Sequence, residues 1–570
     1  MTQRAGKSDA EMIEHTTAAQ ELEMQIPNPK GDAPLMRSKA DDLTVWQSVR
    51  IYKRVGVIAM LAAFSASLDG YQINLNGGII SNKGFIKQFA SPGTVIIAGK
   101  YISAWGGIQS AGQFVGQVVR GPSAMNGIIH SHFWLLHYAT DGFGRKPALL
   151  IIWAVLVLSI FTETFANRWD HWLVAKLLSG MGVGMLQSTM PLYLSEIAPT
   201  QLKGFFINAY SLWFILGQLF ASVALYELKV VDPYNYKVPI YTQWPMVGVI
   251  GIIFAFLPES PWWLASKGRL TEATKALRFC NGGVEGYDIQ EQIDVMTATV
   301  LLEQQTAELN AEVGPWAVFQ GRNLLRFVIS GWPKITQQFV GLTVFNTFAV
   351  YFFQYAGNKN PFLVTVILSC VQLLSMLLTA TLTDQFGRRP LTVYPYGVTT
   401  LSVLCLGIIG CFDYTGRATG SLLIFFACLA TFSTTGASAI GYAYAAEIPT
   451  QRLRARTAAW SLAMSNLVGI MFSFCTPLMI NGTSKWGVKT GFFFAGTGLA
   501  TTVIAWFILP EVARRTPAEI DEFILQRTSE LTASGGRDRF EKKVNLRKFD
   551  KYVTDVQVHA DELHGHTGIA

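Results

Sequence analysis

Apolar runs of about 20 residues alternate with short charged connections from about residue 55 to about residue 510. A run of that length crosses the ~30 Å hydrocarbon core of a bilayer as an α-helix. The pattern predicts twelve spans, near 55–80, 98–120, 147–166, 171–194, 204–226 and 241–257, then near 326–355, 360–382, 391–411, 420–445, 456–480 and 490–510. The ~10-residue alternating segments of a membrane β-barrel are not evident. Polar sequence fills the remainder and sets the divisions: a tail over 1–50, an N-terminal half over 51–263, a central loop over 264–325, a C-terminal half over 326–510 and a tail over 511–570. The central loop mixes Lys267, Arg269, Glu272, Lys275 and Arg278 with apolar positions, which predicts short amphipathic helices.

Composition agrees with this pattern. Charged residues make up 15% of the chain, against about 25% in a soluble domain, and mean hydropathy is +0.31. The first 45 residues hold no apolar stretch of the kind a signal peptide needs. Arg50, Lys53 and Arg54 precede span one and place the N-terminus in the cytoplasm; an even number of spans returns the C-terminus to the same side. The net charge of +7 fits basic cytoplasmic loops. No Lys/Arg cluster interleaves with aromatics, so nucleic acid is not an expected partner. The six cysteines have no paired spacing and read as small core residues. No P-loop, G-x-S-x-G or H-E-x-x-H occurs, and the histidines of 130–137 have no ligating neighbours, so no enzyme chemistry, cofactor or metal is expected. The single Asn-X-Ser/Thr sequon begins at Asn481, in a loop this topology puts outside, and is a candidate glycosylation site.

The chain also repeats itself. Asp141-Gly-Phe-Gly-Arg-Lys-Pro147 recurs as Asp384-Gln-Phe-Gly-Arg-Arg-Pro390. Glu196-Ile-Ala-Pro-Thr-Gln-Leu-Lys-Gly204 recurs as Glu447-Ile-Pro-Thr-Gln-Arg-Leu-Arg-Ala455, and Leu257-Pro-Glu259 as Leu509-Pro-Glu511. The offsets are 243, 251 and 252 positions, in order. Three landmarks at nearly one offset indicate duplication of a half-chain unit. One connection departs from the symmetry. Between Gly116 and Asp141 the chain runs roughly 15–20 residues longer than a short helix–helix turn, and residues 119–136 read either as a loop insertion or as a retained intron.

The duplicated turns, with Pro-Glu-Ser-Pro-Trp-Trp-Leu264 and the ending Pro510-Glu511 to Asp521, resemble the sugar porters of the major facilitator superfamily over about residues 55–525. Within that family, Trp213 to Gln218 and Glu447 to Arg454 look most like fungal maltose and alpha-glucoside permeases. The resemblance implies an all-α membrane protein of twelve transmembrane helices in two six-helix pseudo-repeats, the major facilitator fold. It implies a monomeric multi-pass carrier in the plasma membrane. The implied cargo is a sugar, an alpha-glucoside such as maltose ahead of a hexose, moved by alternating access in symport with a proton. The alternatives are a facilitative carrier of a sugar, polyol or quinate-like acid, and a non-transporting sugar sensor on the same fold.

Candidate residues follow from both lines of reading. Asp69 lies well inside span one, where a carboxylate is costly and marks function by default. Lys176 stands where sugar porters usually carry Arg and is the expected partner of Asp69 in proton coupling. The family's coupling acid falls at Gln72 here, one turn beyond Asp69. Sugar hydroxyls call for amides that both donate and accept. The resemblance puts Gln337, Gln338, Gln372 and Asn466 at the substrate. Tyr442, Thr343 and Ser211 stand where hexose porters carry Trp, Asn and Gln, which leaves room for a larger ligand. The implied cytoplasmic gate joins Asp141, Arg145 and Lys146 to Glu196 and Lys203, and Asp384, Arg388 and Arg389 to Glu447 and Arg454, in pairs that hold the outward-facing state. The aromatic runs around Phe345 to Phe353 and Phe492 to Phe494 read as packing surfaces.

Overall fold

A computed structural model describes residues 50–90, 97–118, 144–199, 202–282, 284, 287–311, 318–412, 416–449, 453–481 and 486–512. Residues 1–49, 119–136 and 513–570, Asp141 and the last two sequon residues lie outside these, as do the side chains of Asp384 and Arg454. Among the described residues there is no strand. All twelve expected spans are present. In the first half they are Lys53–Ala63 with Ser65–Ile79, Gly99–Val118, Arg145–Phe165, Trp169–Ile197, Lys203–Val231, and Gln243–Phe256 led in by Val238–Tyr241. In the second half they are Gly321–Phe339 with Leu342–Asn346 and Ala349–Tyr355, Pro361–Phe386, Pro390–Ile409, Arg417–Glu447, Arg454–Asn481 and Thr490–Ile508.

The hydropathy pattern did not foresee the joints. Span one is interrupted at Phe64, and span seven breaks twice. At the first break of span seven Gly341 takes a φ of +92°, a conformation that glycine adopts without the Cβ penalty.

Among the described residues nine spans are apolar enough to cross a membrane on composition alone; spans two, four and seven are not. Their polar and small residues point inward. Spans two and four press together through facing small-residue rows. A Cβ added at Gly180 would sit 2.1 Å from the Gln109 carbonyl oxygen, and one at Gly184 2.3 Å from that of Gln113. In return, Gly112 and Gly116 meet the carbonyls of Leu177 and Met181. Such close backbone approach is how helices associate where lipid removes the hydrophobic drive.

The two halves meet through span five against span eight, span two against span eleven, and span one against the tip of span seven. At the end of span one that carries Ile79 they share one apolar core, with Leu75, Phe85, Trp105 and Leu225 from the first half and Phe345, Phe348, Phe352 and Phe472 from the second. Gly77 admits the Thr347 carbonyl there, since a Cβ would lie 1.4 Å from that oxygen. At the opposite face, which carries the charged turns, the first half closes its own core over Val55, Leu194, Ile197, Phe206 and Phe254 without a described residue of the second half. The halves therefore share an apolar core at the aromatic face and, among the described residues, none at the charged face. Beyond span six, helices Pro261–Ser266, Leu270–Asn281 and Ile289–Ala311 bury Trp263, Leu277, Ile293 and Met296 in a small core of their own.

Replacing Gly180 and Gly184 together by alanine should overpack the contact of spans two and four by ~1–3 kcal/mol. The expected result is a lower melting temperature in detergent, with Gly248→Ala as control because nothing lies within 4 Å of a Cβ there. Equal melting of both variants would mean that the two spans separate freely.

Candidate functional site

Asp69 is fully buried in span one. Its Oδ1 accepts the Gln187 amide at 3.2 Å and its Oδ2 the Tyr210 hydroxyl at 3.0 Å. The chain of amides continues. Gln187 Oε1 accepts from Gln117 Nε2 at 2.9 Å, and Gln117 Oε1 accepts from Asn466 Nδ2. Asn466 of span eleven is thus connected to the Asp69 carboxylate through one amide of span two and one of span four. This line crosses from the second half to the first.

In the second half, Gln337 Oε1 accepts the Ser438 hydroxyl at 2.9 Å and Lys334 Nζ at 3.3 Å. Tyr442 lays its ring on that ammonium, 3.5 Å from Nζ to the ring centroid, while 57% of Tyr442 is exposed. Tyr442 lies near the charged-turn end of span ten, one turn and a half before Glu447. Gln338 is half-buried with its amide against Gly469 of span eleven, and Gln372 is buried on span eight. Thr343 is buried in the short helix Leu342–Asn346, and Ser211 is half-buried beside Tyr210. The structure therefore draws Gln337 and Tyr442 together around Lys334 and ties Asn466 to Asp69. Among the described residues no side-chain hydrogen bond joins Gln338, Gln372, Thr343 or Ser211 to them. Further links between the halves had no sequence signal beyond a polar residue in an apolar run, among them Gln218 to Asn346 at 2.8 Å, Ser110 to Ser473 at 2.8 Å, and Asn74 through Ser222 to Ser369.

Lys176 does not meet Asp69. Its Nζ lies 2.8 Å from Glu163 Oε1 of span three, with both side chains fully buried, and 4.7 Å from the Trp172 ring centroid. Glu163 Oε2 accepts from Gln243 at 3.0 Å, Gln243 Oε1 from Gln72, and Gln72 Oε1 from Ser179 at 2.9 Å. The reason is helical register. Gln72, not Asp69, faces the turn of span four that carries Lys176 and Ser179, so the cation is neutralised from span three instead.

The charged turns form one module in each half. Arg145 grips Glu196 at 3.1 and 3.2 Å, and Arg388 pairs with Glu447. Glu259 Oε1 accepts the backbone N–H of Arg145 at 2.8 Å and also that of Lys146; Glu511 accepts those of Arg388 and Arg389 at 2.9 and 3.0 Å. A carboxylate here satisfies free N–H groups at a helix start and the positive end of its dipole. Tyr193 and Tyr444 each donate at 2.8 Å to the carbonyl of the proline before that Glu. Gly144 and Gly387 take φ of +118° and +84°, and a Cβ on either would strike the carboxylate, at 2.3 and 2.7 Å. Lys203 lies over the Trp262 ring at 5.7 Å, and Arg389 donates to the Trp506 carbonyl at 2.9 Å. Both ion pairs are internal to a half. Each pair links two spans of the same half, so it braces that half instead of joining the two. Glu259 and Glu511 were visible as repeated landmarks, but their capping role was not.

The family model described as "Sugar (and other) transporter" matches residues 58–523. The chain belongs to this family. Among its relatives, the general alpha-glucoside permease of Saccharomyces cerevisiae is 27% identical over 517 residues, covering 88% of this chain and 80% of the permease. The high glucose sensor RGT2 of the same yeast is 23% identical over 513 residues, covering 87% of this chain and 64% of the sensor. The inward-open xylose transporter XylE of E. coli shares the fold, with a TM-score of 0.63 at 18% identity over 82% of this chain and 99% of XylE. The matched family is one of transporters and not of enzymes, and the chain has the major facilitator fold.

Glu163→Gln should leave the Lys176 ammonium buried without its counter-charge, a loss of about 3–5 kcal/mol. The expected readout is a markedly lower melting temperature, partly recovered in Glu163→Gln/Lys176→Met. A single variant as stable as the parent would mean that Lys176 finds another carboxylate.

Proposed function

We propose that this transporter carries a sugar across the plasma membrane by alternating access, with an alpha-glucoside such as maltose ahead of a hexose, in symport with a proton. The observation that supports coupling is the line of amides from Asn466 to the Asp69 carboxylate. A sugar hydroxyl that takes Asn466 away from Gln117 loosens Gln187 and changes the donors around Asp69. Asp69 is the proton site in this reading, with Tyr210 and Gln187 holding it between transfers. Gln337, Gln338, Gln372, Asn466, Tyr442, Thr343 and Ser211 line the sugar site, and the half-buried Gln338 offers its amide to the cargo. The basic residues before span one put the charged turns on the cytoplasmic side. The conformation, in which the described residues of the two halves share no apolar core at that face, is then inward-facing, with the Arg145–Glu196 and Arg388–Glu447 modules moving as parts of rigid halves. Likeness to RGT2 favours a second reading, a sensor that binds sugar without moving it.

The test is uptake of labelled maltose and glucose in yeast lacking its own sugar transporters, with and without a protonophore. Maltose should accumulate, and the gradient should collapse with the protonophore. Asp69→Asn should keep downhill entry but lose accumulation and its pH dependence. Gln338→Ala should raise the apparent KM at least tenfold or abolish uptake. Uptake that equilibrates and ignores the protonophore would reject symport. No uptake from a carrier present at the cell surface would favour the sensor.

A further inference from the structure

Lys334 stands out among the buried charges. It is 6% exposed in the middle of the second half, yet its contacts among the described residues are neutral: Gln337 Oε1 at 3.3 Å, Ser438 Oγ at 3.1 Å and the Tyr442 ring. Lys176, equally enclosed, has Glu163. An ammonium removed from water without a counter-charge is strongly disfavoured, and an anion that reaches it in another state of the protein would hold its charge there. Asp69 is its counterpart in the first half. That carboxylate is fully buried, and its partners are a hydroxyl and an amide. Tyr442 touches Lys334 and lies within electrostatic reach of both Asp69 and Tyr210. Among the described residues, a cation without an anion and an anion without a cation therefore stand in opposite halves, with Tyr442 on the first, Tyr210 on the second, and the two tyrosines within electrostatic reach of each other.

We propose that Lys334 is the coupling partner of Asp69: when the halves close at the charged-turn face, ammonium and carboxylate pair across the pathway, and protonation of Asp69 separates them. This rests on the symport reading above. A proton entering from outside adds to an Asp69 carboxylate oxygen, gives the neutral acid and frees Lys334. The loaded, protonated carrier then opens inward. The proton leaves to the cytoplasm, and the restored carboxylate draws Lys334 back as the empty carrier returns. The remaining ionisable neighbours are otherwise engaged. Lys176 of span four is held by Glu163, Tyr396 of span nine donates to the Pro333 carbonyl, Tyr444 of span ten donates to that of Pro510, and Arg326 of span seven donates to that of Ile448. Tyr210 and Tyr442 are the groups that face the pair from spans five and ten. Spans eleven and twelve, which also pack on span seven, add no described ionisable side chain at this level.

Return of the empty carrier needs the pair, whereas exchange of loaded carrier does not. Lys334→Gln should therefore lose proton-driven accumulation of labelled maltose or glucose, whichever the parent takes up, by more than tenfold. Counterflow from vesicles preloaded with that sugar should fall less than threefold, and Lys334→Arg should retain accumulation. A second measurement does not depend on the proton. In a background whose six native cysteines are replaced by serine, Asp69→Cys with Lys334→Cys should be joined by a short bifunctional thiol reagent in sugar-free vesicles. Accumulation at parental level by Lys334→Gln, or loss of counterflow together with accumulation at normal surface levels, would overturn the proposal. Failure of the cross-link in a carrier whose parent accumulates sugar would sink the pair alone. A parent that ignores the protonophore would instead sink the symport reading, and the protonation step with it.

Discussion

A polar group inside a bilayer has no water to turn to, so each amide, carboxylate and ammonium in these spans must be met by another group of the protein. That demand orders much of the interior. Lys176, Glu163, Gln243, Gln72 and Ser179 form one closed set drawn from spans one, three, four and six. Asn466, Gln117, Gln187, Asp69 and Tyr210 form another that reaches across the two halves. The first set matches its charges; the second leaves a carboxylate with neutral partners. Satisfied charges hold a structure still, and a charge lacking its opposite is available for work. The proposed division between scaffold and proton site in the first half follows that line.

The duplicated chain uses the same device twice at the charged face. An arginine after a left-handed glycine grips a glutamate on the following span, while the glutamate of Leu-Pro-Glu reaches back to the backbone of the turn. The distal glutamate binds backbone N–H groups of the turn, which are present whichever basic residues follow the glycine. Spans three and six, and likewise nine and twelve, are tethered by backbone geometry.

Much of this was legible in the chain. Spans are set by apolar length, which hydropathy reads directly, and the turns announced themselves through charges that have no place in apolar runs. What stayed hidden depends on the rotation of one helix against another. Glu163 ends an apolar run and reads as a residue at the membrane surface; only the packing of span three on span four shows that it is enclosed with Lys176. Asp69 and Gln72 are one turn apart, and sequence alone did not tell which would face span four. Gln117 and Gln187 carry no charge, so nothing singled them out from other amides. Lys334 sits three residues before a recognisable pair of glutamines and passes for a basic residue near a span end.

The break at Gly341 divides span seven between two allegiances. The stretch before it, Gly321–Phe339, packs among spans ten, eleven and twelve of its own half, while the tip that follows packs on span eight of its own half and also reaches span one of the other. The tip can swing about a glycine hinge without tilting the six-helix half to which it belongs, so the two ends of the pathway need not open and shut as a rigid seesaw. A joint of this kind lets one end of a span shift while the other end keeps its packing.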